Sequence, residues 1–497
     1  METWPKYPTV YEVNTWLWLH DLSRAQGRAL TLGEVPRMEL ERLAAEHRFD
    51  ALWLMGVWER SPGARQISRT HPGLLEECRH ALPDYTEEDV VGSPYAIRVY
   101  RVDAVLGGDE GLAELRARMR ELGLRLILDF VPNHMAIDHP WVNRHPERLV
   151  EGDEASIERE PQNYFRHDTG TQARVFAHGR DPYFDGWSDT VQLDYRRAET
   201  REAMTEELLS IAAKCDGVRC DMAMLVTRDI FLRTWGGEFD LAETEFWPEA
   251  VQRVKAEHPG FLLMAEVYWQ MEYRLQQQGF DFAYDKRLYD RLLGDDAAGV
   301  REYLRADLGY QSRLVRFIEN HDERRAREAF GHVRGAAAAA ITFTLPGLRL
   351  LHEGQLEGWR TKLPVQLGRR APEPTDTGVS EFYRRLLASL SHVVFHEGDW
   401  RRIEPREAWD SNPSHVHFVA SVWTHGTDLR LVAANLSHDR AQCYLPLELP
   451  VLAGRSWLLK DLLSDAEYLR DGDGLLSPGL YLDVPAYGHH LFEITPR

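Results

Sequence analysis

Short apolar runs that stop abruptly at charged or amide side chains, separated by longer amphipathic stretches, constrain this chain more than any other feature. The runs read as strands at Val10–Trp18, Ala51–Met55, Arg125–Val131, Gly217–Arg219, Phe261–Ala265, 282–284 and Leu314–Ile318, with an eighth inside ITFTLPGLRLLHEGQ (341–355). Between them Met38–His47, 112–122, Ala198–Lys214, 246–257, 299–306 and 335–340 read as helices, and 378–391 follows the last strand. Strands that alternate with helices make parallel β/α units, because a parallel neighbour needs a long crossover. The expectation is an α/β fold of the closed (β/α)8 type, a TIM barrel whose strands all present their carboxyl ends at one mouth.

Two stretches break the alternation. Between His134 and Gln192 the chain is rich in Asp, Glu, His, Arg, Pro, Gly and aromatics, as in PQNYF, VFAHGRDPYF and GWSDT. Loops of that length are uncommon unless they are functional, so this is an excursion from the third strand. From Phe395 onward, HFVASVWT, LRLVAANLS, CYLPLELP, LYLDVP and HHLFEI are short and strand-like between polar or Gly/Pro turns, which predicts an antiparallel β-sandwich. The expected division is a barrel from 1–134 and 193–393, an insertion over 135–192 and a C-terminal β domain over 394–497.

Charge narrows the partners. With 59 Lys and Arg against 79 Asp and Glu the formal net charge is −20, which argues against nucleic acid or an anionic membrane as a binding surface. No 18-residue apolar run offers a membrane span. The opening METWPKYPTVYEVNTW lacks a basic segment followed by a long apolar one, so the expected compartment is the cytoplasm. Cys78, Cys215, Cys220 and Cys443 have no metal-site spacing and are expected to be free. The glycines of VLGGDEG (105–111) lack a strand-turn-helix setting and read as a turn, not a dinucleotide fingerprint.

Four strand ends carry polar groups that apolar packing would not choose: Asp129, Asn133 and His134 in DFVPNH; Asp216, Arg219 and Asp221 in DGVRCD; Glu266 in AEVYW; and Glu319, Asn320, His321 and Asp322 in FIENHDE. A single Asp beside a strand is more often a helix cap or a solvated turn, and that reading applies most to Asp216 and Asp129. Recurrence at strand spacing favours a site. Glycoside hydrolysis needs a carboxylate facing the anomeric carbon and a protonated carboxyl facing the leaving oxygen. Asp221 fits the first, kept ionised by Arg219 two residues earlier; Glu266, after Leu262–Ala265 and before Tyr268 and Trp269, fits the second. Asp322, His321 and His134 would hold sugar hydroxyls. Tyr95, Trp58, Tyr183, Phe184, Trp187, Tyr268 and Trp269 could stack on sugar faces or equally pack a core.

Taken in order, these motifs resemble the α-amylase superfamily, glycoside hydrolase family 13, from about residue 8 to the C terminus. Asp129–His134 is similar to the family's strand-3 region, Gly217–Asp221 to its nucleophile region, Glu266-Val267 to its acid/base region and Phe317–Asp322 to the region of its third carboxylate. Tyr95, Pro346-Gly347, Gly354-Gln355 and Gln192–Tyr195 add looser similarity. The resemblance implies catalytic residues Asp221, Glu266 and Asp322, with Tyr95, His134, Arg219, His321, Asp129 and Tyr268 binding substrate. It implies a retaining α-glucoside hydrolase working through a glycosyl–Asp221 intermediate, or a transferase or phosphorylase using the same intermediate, and it makes the excursion the family's domain B. No cofactor is expected. A structural calcium is doubtful, because Met224 and Leu225 stand where many amylases have Lys-His, leaving Asn133 alone. Arg360 and Lys362 could meet an anionic acceptor, although a solvated loop is the plainer reading.

Overall fold

Eight parallel strands close on themselves: β1 Thr9–Asn14, β2 Ala51–Met55, β3 Arg125–Phe130, β4 Gly217–Cys220, β5 Leu262–Ala265, β6 Phe282–Tyr284, β7 Leu314–Arg316 and β8 Leu348–His352, with β8 pairing back to β1. The computed structural model describes residues 4–168, 173–240 and 245–497. Apart from the first residue of β3, every residue of these strands is buried, which is why they read as nearly continuous apolar runs without the alternation of a half-wet sheet. Helices Gly108–Glu121, Ala198–Lys214 and Phe246–Glu257 return the chain to β3, β4 and β5.

Two expectations shift at element ends. β1 stops at Asn14, whose side-chain oxygen accepts from the Trp16 N–H at 3.1 Å and so caps the helix Thr15–Gln26. The aromatic and β-branched TWLWL had read as more strand. Similarly, Ile341–Thr344 ends the helix His332–Thr344, and β8 begins only after Pro346-Gly347. Gly347 has φ 129°, and a Cβ there would lie 2.4 Å from the Leu314 carbonyl oxygen, so no other residue fits this strand entry.

Two excursions leave neighbouring strands on the mouth side. After β2, residues 56–107 form an antiparallel pair, Trp58–Arg60 with Ile97–Val102, enclosing helices Pro62–Thr70 and Pro72–Ala81. After β3, His134–Ala136 pairs antiparallel with Thr190–Gln192, matching His134 to Gln192, and this ribbon closes the base of a three-stranded sheet of Glu151–Gly152, Tyr164–Asp168 and Ala173–Ala177. The excursions touch: Ser61 Oγ donates to Asp138 Oδ1 at 2.5 Å and the Gly63 N–H to Oδ2 at 3.0 Å.

The C-terminal part is a sandwich. Six antiparallel strands (Asp399–Ile403, Phe418–His425, Asp428–Asn435, His489–Pro496, Ser456–Asp461, Glu467–Asp471) face the pair Ala441–Leu445 and Leu480–Val484. Period-two alternation sorts the side chains. Phe418, Ala420, Val422, Leu429 and Leu431 enter the sandwich core, while Val419, Trp423, Val432 and Ala434 join the barrel's core.

Candidate active site

Arg219 organises the mouth. Its side chain, near the end of β4, is 1% exposed, and its Nη1 lies 2.6 Å from Asp221 Oδ1 while Nη2 lies 2.8 Å from Glu266 Oε2. Asp129 Oδ1 and Asp322 Oδ2 stand further out, 3.8 and 3.9 Å from the same guanidinium. Three rings enclose it: Trp53, Tyr95 and Tyr284, with centroids 5.4, 5.1 and 5.9 Å from the guanidinium carbon. One cation thus meets four carboxylates from four strand ends. Register explains it, because β4 lies between β3 and β5 with Arg219 opposite Asp129 on one side and Met264 on the other.

Backbone geometry fixes the carboxylates. The Asp221 N–H donates to the Phe130 carbonyl at 2.8 Å, and the Glu266 N–H to that of Cys220 at 3.0 Å. Glu266 Oε2 also accepts from the Met222 N–H at 2.7 Å, and Oε1 accepts from the Tyr268 hydroxyl at 2.8 Å. Met222, Trp269 and Gln270 have φ of 41°, 60° and 64°, left-handed values that non-glycine residues adopt at a cost, and all three flank the site.

The carboxyls differ in acidity because their surroundings differ. Burial pushes Glu266 up to about 7; Arg219 opposes the shift and Asp221 and Asp322 reinforce it. Burial likewise raises Asp129 to about 6 against the pull of Arg219, and its Oδ2 accepts from the Gly56 N–H at 3.3 Å. Asp322 goes the other way. The protein packed around its inner side opposes its ionisation, but His321, Arg219 and Lys362 outweigh that and hold it well below the usual carboxylate range. Its side chain is 44% exposed, so of the carboxylates around Arg219 it is the one open to solvent. His321 would be lowered by burial, yet Asp322 and Glu12 raise it to about 10. Burial pushes His134 down to about 4, so near neutral pH it is an uncharged donor and acceptor.

The remaining expected residues divide. Tyr95 stacks on His321 at 5.5 Å between centroids, with its hydroxyl 2.7 Å from Nε2. His134 has its ring 5.0 Å from that of Trp187. Trp58 is a core residue: it is 1% exposed and gives its N–H to the Asp129 carbonyl at 2.8 Å, so it offers no face to a sugar. Tyr183 and Phe184 are exposed, and Tyr183 meets Trp269 edge-on at 5.1 Å. Asp216 precedes β4, at the end opposite the mouth, and pairs with Arg116 and Arg120 at 2.8 Å each. Arg360 and Lys362 are both exposed; Lys362 Nζ donates to the Asp322 carbonyl and so stands at the rim. Sequence reasoning missed Glu12, Trp53 and Tyr284, which back the site from β1, β2 and β6. None of the three carried a distinct signal, since Glu12 sits among the polar residues of TVYEVN and the rings read as core.

Asn133, the residue the sequence left for a calcium, is engaged by a neighbouring amide. The Asn133 side-chain oxygen accepts from Gln192 Nε2 at 3.1 Å, and its amide donates back to Gln192 Oε1 at 3.3 Å. Met224 and Leu225 are buried. Among the described residues, no group of three or more His, Cys, Asp or Glu could hold a metal ion.

A closed β/α barrel whose strand ends gather carboxylates around one buried arginine defines a class, that of β/α barrels with an acidic mouth. The family described as "Alpha amylase, catalytic domain" matches residues 85–363, more than half of the sequence, and the chain belongs to that family. It is 28% identical over 335 residues to "Alpha-amylase MalA" of Haloarcula japonica, covering 65% of this chain and 44% of that protein. It is 23% identical over 305 residues to "Alpha-amylase 3" of Dictyoglomus thermophilum, covering 57% of each. The chain therefore spans about half the length of these curated relatives. The maltogenic α-amylase AmyB from Thermotoga neapolitana superposes with a TM-score of 0.68 over 99% of both chains at 20% identity, a likeness of fold.

Proposed function

We propose that this chain is a retaining α-glucoside hydrolase acting on α-glucans or small α-gluco-oligosaccharides. One observation carries the reading: a single guanidinium lies 2.6 Å from Asp221 and 2.8 Å from Glu266, while burial keeps Glu266 near half-protonated at neutral pH. Asp221 attacks the anomeric carbon as Glu266 gives its proton to the departing oxygen, leaving a glycosyl–Asp221 ester. Glu266, now ionised, takes a proton from the incoming water, whose oxygen displaces Asp221 with a second inversion, so the configuration is retained. As Asp221 is esterified it ceases to compete for Arg219, which leaves more of that cation to hold Glu266 in the basic form the second step needs. Asp322 faces the positive charge that grows on the ring, Tyr95 stacks on the sugar, and His321 and His134 hold its hydroxyls, while the buried Asp129 braces Arg219 from behind. The likeness to relatives described as α-amylases supports an α-glucan as donor. The four buried, free cysteines suit a reducing compartment, which we take to be the cytoplasm.

The test is a time course with maltose to maltoheptaose, isomaltose, trehalose and sucrose, with and without phosphate. Release of free sugar in step with donor loss, the first product being the α-anomer by proton NMR, supports the reading; an inverted first product overturns it. The exposed Lys362 at the rim favours one alternative, transfer to an anionic acceptor such as phosphate. Sugar phosphate in place of free sugar would establish that alternative.

A further inference from the structure

Glu12, near the end of β1, takes no part in the reaction as proposed, yet its side chain is wholly buried beneath the site. Its Oε1 makes a short contact with His321 Nδ1, while Oε2 has no hydrogen-bond partner among the described residues. The other ring nitrogen of His321 lies 2.7 Å from the Tyr95 hydroxyl and 3.0 Å from Asp322 Oδ2. Trp53 meets the ring edge-on at 5.7 Å, closing one side to water. A neutral imidazole has a single N–H, whereas here each nitrogen faces a carboxylate oxygen, and only the doubly protonated ring satisfies both. Other charged or titratable groups reach it from several sides: Asp129 on β3, Arg219 on β4, and His352 and Glu353 at the end of β8, with Lys362 and Arg325 lining the same small cavity.

We propose that Glu12 is a positioning residue: by accepting the Nδ1 proton of His321 it keeps that ring charged and aims its Nε2–H at Asp322 and Tyr95. The effect on turnover rests on the hydrolase reading above; the protonation of His321 does not. Because desolvation alone would strip a buried imidazole of its charge, two flanking carboxylates are the means of keeping it. Removing one leaves Asp322 as the sole anion in contact, and leaves the ring free to tilt about a single hydrogen bond. Glu12 touches no substrate. Its influence passes through His321 to the orientation and ionisation of Asp322.

The experiment is histidine-selective NMR across pH on the full chain, with Glu12→Gln, Glu12→Asp and wild type compared and the His321 signal assigned by its loss in His321→Gln. In wild type His321 is expected to stay protonated to about pH 10. In Glu12→Gln, which keeps shape and volume, the midpoint is expected to fall by about 1–3 pH units; Glu12→Asp, which keeps the charge, should lose less. Turnover of the best α-glucoside should drop about 10- to 100-fold, the usual cost of removing a partner that orients a functional histidine, with KM nearly unchanged. The alkaline limb of log kcat/KM should steepen from one proton toward two. An unchanged midpoint in Glu12→Gln overturns the proposal, as does a wild-type His321 that titrates near 6.5, a measurement that needs no variant to fold. A shifted midpoint in a protein that cleaves no α-glucoside would instead sink the hydrolase reading and leave the positioning role standing.

Discussion

Glu266 holds its proton near neutrality because the mouth withholds water from it, and the same seclusion makes it sensitive to single atoms around it. Replacing it by Gln removes the proton donor while keeping shape, so kcat on an unactivated α-glucoside should fall about 100- to 10,000-fold with the fold intact by circular dichroism. Activity needs the protonated form, so kcat/KM should decline as pH rises through about 7, the value to which burial lifts this carboxyl. The Tyr268 hydroxyl donates to Oε1 and thereby favours the ionised form. Tyr268→Phe should therefore move that alkaline limb to higher pH; a limb that stays or moves down would assign the limb to another group. Much of this was legible in the letters. Asp129, Arg219, Asp221, Glu266, His321 and Asp322 announce themselves as polar residues ending apolar strands. Glu12 does not, since one acid inside TVYEVN looks like the wet face of a strand until the strand proves buried on both sides. Trp58 misled for the opposite reason: an aromatic ring reads alike in a sugar platform and in a core.

Strand and helix periodicity is local, so elements were legible where period alone decides and blurred where a cap decides. Ala198–Lys214 and 246–257 stand where their apolar spacing puts them. The end of β1 depended on one Asn14 hydrogen bond. The excursion 56–107 escaped notice because its pairing, Trp58–Arg60 with Ile97–Val102, joins residues about 40 apart through an irregular register. The base of the other excursion hangs on Gln192, which is wholly buried and whose amide donates to the Asn133 carbonyl at 2.8 Å, the Asn133 side chain at 3.1 Å and the Leu193 carbonyl at 3.1 Å. Gln192→Leu would strand these acceptors in an apolar setting. A loss of about 2–4 kcal/mol in urea unfolding is expected, with the m-value unchanged. With Asn133 engaged this way, dialysis against a chelator should leave both Tm and kcat where they were; a drop restored by calcium would show an ion bound elsewhere.

Barrel and sandwich unfold together if a shared core binds them. Trp423, on the face of the six-stranded sheet turned to the barrel, packs edge-on against Tyr7 and Phe395 and gives its N–H to the Thr344 carbonyl at 2.7 Å. Arg349 of β8, also fully buried, reaches the carbonyls of Tyr7, Phe343 and Phe395 at 2.8, 2.7 and 2.9 Å. Calorimetry should accordingly record one transition for the whole chain, and Trp423→Ala should lower it by the equivalent of about 3–5 kcal/mol. Two separated transitions in wild type would contradict the shared core. The contact between the two excursions has a consequence of another kind. Ser61 and Gly63 from one grip Asp138 from the other, so the wall that frames the mouth is a single body drawn from two insertions. A change that reshapes one of them should therefore shift its neighbour. Grafting either alone from a relative should give a misfitted rim, whereas exchanging both would carry the donor's specificity with it.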